Sequence, residues 1–338
     1  MKFTGSHVLS ISQFERADIE SIFEVADRMV PYAQRQRVTN VLEGAILGSM
    51  FFEPSTRTRV SFGSAFNLLG GDVRETIGFA SSAIAKGESL YDTARVLSGY
   101  SDVIVMRHPQ EGSVAEFAEA SRVPVLNGGD GSNEHPSQAL LDLYTIKKEL
   151  QHHGRNDVDG LRIALIGDLK FGRTVHSLCK LLMLYNNITV SLISPEELKM
   201  PAEIVEQMRA AGHEVIESDV MEERIAHVDI AYSTRIQEER FASQEEADLY
   251  RGRYRLNQAI YTRFCEPNTV IMHPLPRDSR EGANELDNDL NDNPNLAIFR
   301  QADNGVLVRM AMFALILDVV DQVDKCSRNV NWYTGSRF

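Results

Sequence analysis

Residues 44–71, "GAILGSMFFEPSTRTRVSFGSAFNLLGG", contain the pattern that decides the fold class. Residues 44–52 form a continuous apolar run of strand length. In residues 59–69 the large apolar side chains recur at near-helical spacing, and Gly70 and Gly71 suit the end of a helix. The stretch therefore predicts a strand, a turn and a helix, which is how a βαβ unit begins.

Apolar runs of strand length recur along the chain, with helix-like segments between them. The runs lie at residues 44–52, 102–106, 123–127, 161–167, 188–193, 228–233 and 269–275. Continuous runs rich in Val and Ile that alternate with helices are typical of parallel strands covered on both faces. The pattern predicts an α/β fold of two domains, each with a parallel sheet flanked by helices.

Chain length and one polar segment indicate where the domains divide. Single hydrophobic cores stop growing near roughly 250–300 residues, and the chain has 338. The polar, glycine-containing residues 151–160 favour a boundary between a domain 1–150 and a domain 151–303. Residues 304–323 have the composition of one long apolar helix. We expect this C-terminal part, 304–338, to pack back on the N-terminal domain.

Composition excludes several classes of protein. A net charge of −13 is unfavourable for nucleic-acid binding, which depends on phosphate contacts. No apolar run approaches the roughly 18 residues that a membrane span needs, and residues 1–10 lack the apolar core of a signal peptide. Cys179, Cys265 and Cys326 are far apart, without a C-x-x-C motif. We therefore expect reduced thiols, a cytoplasmic location, no membrane partner and no metal site.

The turn between the first predicted strand and helix is unusually rich in hydrogen-bond donors. Pro54 suits the turn, and Ser55 or Thr56 suits the N-cap. Free N–H groups, the helix dipole, the hydroxyls and Arg57 would converge on one anion. A capped helix with two exposed arginines is the alternative, but capping accounts for only one hydroxyl. The glycines and the G-K-[ST] sequence of a Walker loop are absent, so the motif is not a Walker loop. Its several donors together predict a phosphate site of another kind.

Other candidate residues also follow predicted strands. Arg107 lies at the carboxyl end of a strand, where open parallel sheets bind ligands, although an arginine at a sheet edge is a common alternative. His135 stands before Pro136 at the start of a helix, where the dipole disfavours the protonated imidazole. A helix cap with a surface histidine is the alternative there. The glycine-rich residues before His135 favour a backbone kept open for a ligand.

The motif "FFEPSTRTR" resembles the carbamoyl-phosphate motif of the aspartate and ornithine carbamoyltransferases, and Glu53–Pro54 resembles its aspartate version. Further stretches match in order at residues 86–93, 105–112, 124–143, 167–178, 229–240, 273–277 and 301–309. The resemblance covers nearly the whole chain. It implies that residues 1–150 bind carbamoyl phosphate and residues 151–303 bind L-aspartate. The implied reaction gives N-carbamoyl-L-aspartate and phosphate, in de novo pyrimidine (UMP) biosynthesis, without a cofactor.

The resemblance also implies residues for carbamoyl phosphate. They are Ser55, Thr56, Arg57, Thr58, Ser82, Arg107, His135 and Gln138, with the backbone carbonyls of Leu275 and Pro276. Thr58, Arg107 and His135 would polarise the carbamoyl oxygen and, with Arg57, stabilise the charge of the tetrahedral intermediate. The departing phosphate is the plausible acceptor of the amine proton, because no nucleophile–base pair is evident.

For aspartate, the resemblance implies Lys86, Arg173, Arg235 and Gln237. Arg173 would hold the α-carboxylate, while Arg235 and Gln237 would hold the side-chain carboxylate. "GDLKFG" (167–172) is not G-x-G-x-x-G, so a dinucleotide site is a weak alternative. An acid at an apolar strand end is costly to bury unpaired. Glu53 therefore has two open interpretations, a link to Arg173 and Arg235 across a cleft or a pair with a neighbouring arginine.

The family resemblance has consequences for assembly. Ser82 and Lys86 match residues of a loop that the family inserts into the active site of a neighbouring chain. A homotrimer with shared sites is therefore expected, with a possible regulatory chain in a larger assembly. The chain departs from the family's pattern at two places. Ala85 stands where some relatives carry a second lysine, and the segment 278–295 is longer and more acidic than expected.

Two alternatives remain to be weighed against this function. An ornithine carbamoyltransferase would prefer H-C-L-P at residues 273–276, where this chain has "HPLP", and Arg235 with Gln237 does not suit an ammonium-bearing side chain. A nucleotide-binding or non-catalytic regulatory homologue should have lost some of the four residues implied for the chemistry. Those residues, Arg57, Arg107, His135 and Arg173, are all present.

Overall fold

The computed structural model describes residues 1–78, 87–131, 133–238, 241, 243, 245, 248–280 and 282–335. The chain divides into two compact units, which are called unit 1 and unit 2 below. Unit 1 comprises Met1–Leu140 and Asp303–Phe338, and unit 2 comprises Leu141–Ala302. The first division between the units falls after Leu140.

The described residues form ten α-helices and eleven strands. The helices are α1 (Arg16–Ala33), α2 (Thr56–Leu68), α3 (Leu90–Leu97), α4 (Ser113–Ala120), α5 (Pro136–His152), α6 (Arg173–Leu182), α7 (Ala202–Ala210), α8 (Met221–Arg224), α9 (Gln258–Phe264) and α10 (Ile298–Ile316). The strands are β1 (Arg37–Thr39), β2 (Ile46–Phe51), β3 (Asp72–Ile77), β4 (Val103–His108), β5 (Val125–Asp130), β6 (Arg162–Ile166), β7 (Thr189–Ile193), β8 (Glu214–Ser218), β9 (Ile230–Ser233), β10 (Val270–Met272) and β11 (Ser327–Asn329). None of the helices in the described part of the chain has the length and apolar character of a membrane span.

Unit 1 is built on a four-stranded parallel sheet with the order β3-β2-β4-β5. Its central strands β2 and β4 are mostly apolar, and every residue of β4 is buried. The large rings of α2, Phe62 and Phe66, are fully buried and pack edge-on against Phe313 of α10. A separate antiparallel pair, β1 with β11, fixes residues 327–329 to this unit.

Unit 2 contains a five-stranded parallel sheet with the order β10-β9-β6-β7-β8. Its core includes Ile166, Ile193, Ala231 and Ile271, one residue from each of the four strands β6, β7, β9 and β10. The predicted α/β class, with a parallel sheet in each half, is confirmed.

The C-terminal helix was predicted at residues 304–323, but α10 spans Ile298–Ile316. Polar side chains near residue 300 interrupt the apolar pattern, so the sequence does not show where this helix begins. The helix ends because Asp318 takes a left-handed φ of 57°, and the Val319 N–H donates to the Ala314 carbonyl at 2.9 Å. Residues Val320–Gln322 form only a short 3₁₀ turn.

Candidate active site

In unit 1, the strand order creates a switch point between β2 and β4. The chain leaves β2 for β3 on one side of the sheet, and it returns to β4 on the other side. In open parallel sheets, ligands bind in the crevice that such a reversal leaves at the carboxyl ends of the strands. The phosphate motif follows β2, and Arg107 lies in the last part of β4.

The motif begins α2 as the sequence predicts. Ser55 is the N-cap residue, with an extended backbone, and the helix starts at Thr56. The Ser55 hydroxyl makes no capping hydrogen bond within the described residues, so a plain capped helix does not account for the motif. Thr58 is buried, whereas Thr56 and Arg57 are exposed. The N–H groups in the first turn of any α-helix lack intrahelical acceptors and favour an anion.

Arg107 is only 9% exposed, and its guanidinium is held in one orientation. Its Nε donates to Glu53 Oε2 at 2.8 Å, and its Nη1 lies 3.4 Å from the Gly128 carbonyl of β5. The Phe52 N–H donates to the Arg107 carbonyl at 2.9 Å, which joins the motif's strand to β4. Of the two interpretations of Glu53, the structure therefore shows a pair with a neighbouring arginine.

His135 comes from a third strand end. It is 3% exposed, directly before α5, and its carbonyl accepts the N–H groups of Gln138 and Ala139 at 3.0 and 3.2 Å. Its Nε2 lies 3.5 Å from the Thr58 hydroxyl. Since Thr58 is in α2 and His135 leads into α5, side chains 77 positions apart meet at this edge.

The end of β5, which leads toward His135, is held by a local network that sequence reasoning missed. The Asn127 amide donates to Asp130 Oδ1 at 3.0 Å and to the Leu9 carbonyl at 2.9 Å. The Asn127 side-chain oxygen accepts the Gly129 N–H at 2.7 Å. Both Asn127 and Asp130 lie in the stretch that resembles the family, which was the available signal.

Next to the site, His108 is an uncharged neighbour of Arg107. Burial lowers the pKa of His108, and its Nδ1 accepts the Gln110 N–H at 3.1 Å. A neutral imidazole therefore adds no charge beside the Arg107–Glu53 pair at pH 7.

Unit 2 has a second switch point, between β6 and β9. The chain runs from β6 to β7 and β8 on one side and returns to β9 on the other. The two strand ends are close, because the Thr234 N–H and hydroxyl both donate to the Ile166 carbonyl, at 2.8 and 3.0 Å. Gly167 has a φ of 116°, and a Cβ there would lie 2.3 Å from the Thr234 carbonyl oxygen. This position therefore requires glycine.

The loops after β6 and β9 carry Arg173 and Arg235, and Asp168 joins these loops. Asp168 is fully buried, and its two oxygens accept the N–H groups of Phe171 at 3.0 Å and Gln237 at 3.1 Å. The Gln237 side-chain amide donates to the Phe171 carbonyl at 2.6 Å. Arg173 is the first residue of α6, and both arginines are half-buried. Sequence reasoning missed Asp168, although it lies in "GDLKFG".

His176 supports the same loop from within α6. Burial lowers the pKa of His176, and its Nε2 lies 2.7 Å from the Leu169 carbonyl. A carbonyl can only accept, so Nε2 carries the proton. The neutral imidazole ties the first turn of α6, which carries Arg173, to the end of β6.

The predicted carbonyl contacts, Leu275 and Pro276, follow β10 in unit 2. The Leu275 N–H donates to Nδ1 of the buried His273 at 2.8 Å, and His273 Nε2 contacts Glu285 at 2.7 Å. The His273 N–H donates to Gln301 at 2.9 Å. Glu285 also accepts the Asp278 N–H at 3.1 Å, so an acid of the segment 278–295 supports this turn.

Ser82 and Lys86 lie outside the described residues. Within the described ranges, no group of three or more His, Cys, Asp and Glu residues could hold a metal ion. The described candidate residues offer hydroxyls, guanidinium groups, an imidazole and backbone groups to a ligand.

Two family models match most of the chain. Residues 6–148 match the carbamoyl-P binding domain of aspartate/ornithine carbamoyltransferase, and residues 159–316 match the Asp/Orn binding domain of the same family. The chain is 78% identical to the aspartate carbamoyltransferase catalytic subunit of Saccharophagus degradans, with all of both chains covered.

Solved structures give the same result. The aspartate transcarbamoylase of Trypanosoma cruzi, in complex with carbamoyl phosphate and aspartate, is 39% identical, with a TM-score of 0.84 over 93% of this chain and 98% of that chain. The catalytic subunit of M. jannaschii aspartate transcarbamoylase is 42% identical, with a TM-score of 0.83 over 94% and 99%. The chain belongs to the aspartate/ornithine carbamoyltransferase family. The three relatives named here are all enzymes of the aspartate branch, and the predicted family is confirmed.

Proposed function

We propose that this chain is the catalytic chain of an aspartate carbamoyltransferase. It transfers the carbamoyl group of carbamoyl phosphate to the amino group of L-aspartate, as a step of pyrimidine (UMP) biosynthesis. The names of its relatives and the ligands of the T. cruzi enzyme support this activity. The structural observation that supports it is the 3.5 Å distance between the Thr58 hydroxyl and His135 Nε2, in the unit whose strand β4 ends with Arg107 and His108.

Unit 1 binds carbamoyl phosphate in this proposal. The first turn of α2 holds the phosphate through its N–H groups, the hydroxyls of Ser55 and Thr56, and Arg57. Thr58, Arg107 and His135 donate to the carbamoyl oxygen, and Gln138 contacts the carbamoyl amino group. The 3.5 Å between Thr58 and His135 supports a shared ligand, because one oxygen can accept from two donors at this separation.

The chemistry is an acyl transfer without a covalent enzyme intermediate. The aspartate nitrogen attacks the carbamoyl carbon, and negative charge collects on the carbamoyl oxygen. Fixed donors stabilise that charge more than they stabilise the ground state. The carbon–oxygen bond to phosphate then breaks, and the amine proton passes to the departing phosphate. The carbonyls of Leu275 and Pro276 accept hydrogen bonds from the amino groups.

Unit 2 binds aspartate. Arg173 holds the α-carboxylate, and Arg235 and Gln237 hold the side-chain carboxylate. Two arginines complement two carboxylates, which favours aspartate over ornithine with its second ammonium group. The Gln237 amide bonded to Phe171 must be released, or share its second N–H, when it contacts substrate. The link of Glu53 to these arginines stays a prediction.

The assembly belongs to the proposal as well. Ser82 and Lys86 enter the site of a neighbouring chain, so the active unit is a homotrimer, and a regulatory chain can join a larger assembly. The proposed location is the cytoplasm. Burial raises the pKa of the Cys179 thiol to about 12, which makes this thiol unreactive.

Phosphate release tests the proposal. The purified chain is given carbamoyl phosphate with L-aspartate, and in parallel with L-ornithine, over a range of concentrations. We expect saturable release with aspartate, together with N-carbamoyl-L-aspartate, and background release with ornithine. Turnover with ornithine alone, or with neither amine, would overturn the proposal.

A further inference from the structure

A buried arginine of α10 lies among the most apolar side chains of unit 1. Arg309 is 3% exposed, and its helix neighbours Val308, Met310 and Ala311 are fully buried. Burying a guanidinium is costly unless hydrogen bonds and favourable contacts offset the loss of water. The planar guanidinium group, with its several N–H donors, is therefore expected to have a specific role at this position.

The guanidinium of Arg309 bonds to two different helices. Its Nη1 donates to the Ser61 hydroxyl of α2 at 2.8 Å, and its Nη2 donates to the Ser137 hydroxyl of α5 at 3.2 Å. The guanidinium carbon also lies 4.7 Å from the centroid of the Phe62 ring. Stacking on Phe62 fixes the plane of the head, and the two serines fix its direction.

Both serines lie next to the residues that form the carbamoyl-phosphate site. Ser61 is one helical turn after Thr58 and Arg57 in α2, and Ser137 lies between His135 and Gln138. Movement of either first turn relative to the other would change the distance between Thr58 and His135, which is 3.5 Å. One buried cation thus holds the two helices at the point where their donors must meet.

We propose that Arg309 is a positioning residue of the active site, which sets the separation of the first turns of α2 and α5. This inference rests on the proposed function. It assigns to Arg309 no contact with the substrate. Its effect is on the alignment of donors in the transition state, where a displacement of about 1 Å can cost on the order of 100-fold in rate.

Three variants separate positioning from folding. Arg309→Met removes both hydrogen bonds and the charge, and Arg309→Lys keeps the charge but cannot hold both serines in the same planar way. Ser61→Ala with Ser137→Ala removes the two acceptors and leaves Arg309 and its stacking in place. Arg300→Met is the matched control, because Arg300 is on the same helix but is partly exposed and pairs with Glu149.

The readouts are kcat and KM for aspartate at saturating carbamoyl phosphate, with the folded fraction measured by circular dichroism. We expect Arg309→Met to lower kcat by at least 10-fold with less than a 3-fold change in KM. The kcat values of the double serine variant and of Arg309→Lys should lie between those of Arg309→Met and the wild type. Arg300→Met should have the kcat of the wild type. A loss of folded enzyme also lowers apparent kcat at unchanged KM, but only in proportion to the folded fraction. A fall in kcat that exceeds the measured loss of folded enzyme therefore marks the positioning role.

A double serine variant with the kcat of the wild type would overturn the inference, even if Arg309→Met does not fold. A loss in Arg309→Met that the folded fraction fully explains, with Arg309→Lys unchanged, would also overturn it. The wild-type enzyme is the reference for the proposed function itself. If the wild type fails to turn over carbamoyl phosphate and aspartate, the proposed function fails. If the wild type is active and the Arg309 and serine variants have the same kcat as the wild type, this inference alone fails.

Discussion

At the residue scale, the site concentrates positive charge locally in a chain whose net charge is −13. Arg107 is buried, and its pair with Glu53 offsets part of the cost of removing the guanidinium from water. Nε donates to Glu53, and Nη1 lies 3.4 Å from the Gly128 carbonyl. These contacts hold the guanidinium in one orientation at the end of β4. Arg57, in contrast, is exposed at the start of α2.

Arg57→Ala tests the role of that exposed arginine. The substitution removes a donor to the charge that develops on phosphate, and loss of one such donor typically costs on the order of 100–1,000-fold in kcat. We expect a fall in kcat of at least about 100-fold, with a much smaller rise in the KM for aspartate. Steady-state kinetics with saturating carbamoyl phosphate measure both constants.

Arg59→Ala is the control, since Arg59 lies two positions further along the same helix and pairs with Glu75 of β3. It should keep nearly full activity. A mainly KM effect in Arg57→Ala, or an equal loss in both variants, would contradict a transition-state role for Arg57.

Individual residues differ in how well the sequence identifies them. Thr58, Arg107 and His135 lie in or near the segments that follow three apolar runs, so the order of runs and connections predicts that they share one edge of a parallel sheet. Asp168 acts through backbone N–H groups of Phe171 and Gln237, which are distant in sequence from each other. Only the folded loops reveal such a partner.

At the element scale, Asp229 clamps the start of the unit 2 sheet. Its carboxylate accepts from Arg155 at 2.7 Å, from the Arg162 side chain at 2.8 Å and from the Arg162 N–H at 2.8 Å. Burial opposes ionisation, but the bonds from Arg162 and the charge of Arg155 outweigh it and hold the pKa of Asp229 below its ordinary value. Arg155 thereby fixes the polar segment 151–160 to β6 and β9.

Asp229→Asn should destabilise the protein by about 1–3 kcal/mol at pH 7, the scale of hydrogen bonds to charged groups. Urea unfolding measures this loss. Because the folded pKa is depressed, the stabilisation is complete above the ordinary aspartate pKa of about 3.9. It disappears as pH falls through the lower, folded value, so wild type and variant should converge below that pH.

Glu206→Gln, on the exposed face of α7, makes the same change of charge and should unfold like the wild type. If the difference between Asp229→Asn and the wild type were the same at pH 7 and in strong acid, the carboxylate would not be its source.

The elements show which parts of the fold follow from apolar patterns. All seven predicted strands are present, as β2, β4, β5, β6, β7, β9 and β10. Edge strands β3 ("DVRETI") and β8 ("EVIES") were missed, because an edge strand is less covered and tolerates polar side chains. The order of strands, and hence both switch points, depends on packing that no local pattern encodes.

At the scale of the whole molecule, each unit contributes its own switch point and its own set of arginines. Unit 1 offers a helix start for a phosphate, and unit 2 offers Arg173 and Arg235 for carboxylates. The family comparison confirms the predicted fold and family, while the roles of individual residues stay predictions. Trimeric sharing of the site rests on Ser82 and Lys86, which the described residues do not include.

Subunit mixing tests this sharing. Lys86→Ala and Arg57→Ala chains are each expected to be nearly inactive. In a mixed trimer, one site combines a native Arg57 with a native Lys86 from its neighbour, so activity should return after subunit exchange. Phosphate release before and after exchange measures the recovery. No recovery, with exchange verified by mass spectrometry, would count against shared sites.

The proposed reaction forms a bond between the carbamoyl carbon and the aspartate nitrogen. ¹³C-labelled carbamoyl phosphate and ¹⁵N-labelled L-aspartate, followed by NMR, test that bond directly. We expect a product carbon signal that is split by one-bond coupling to ¹⁵N, that appears in step with inorganic phosphate and that depends on enzyme. Phosphate release without that coupling, or coupling only when ¹⁵N-labelled ornithine replaces aspartate, would contradict it.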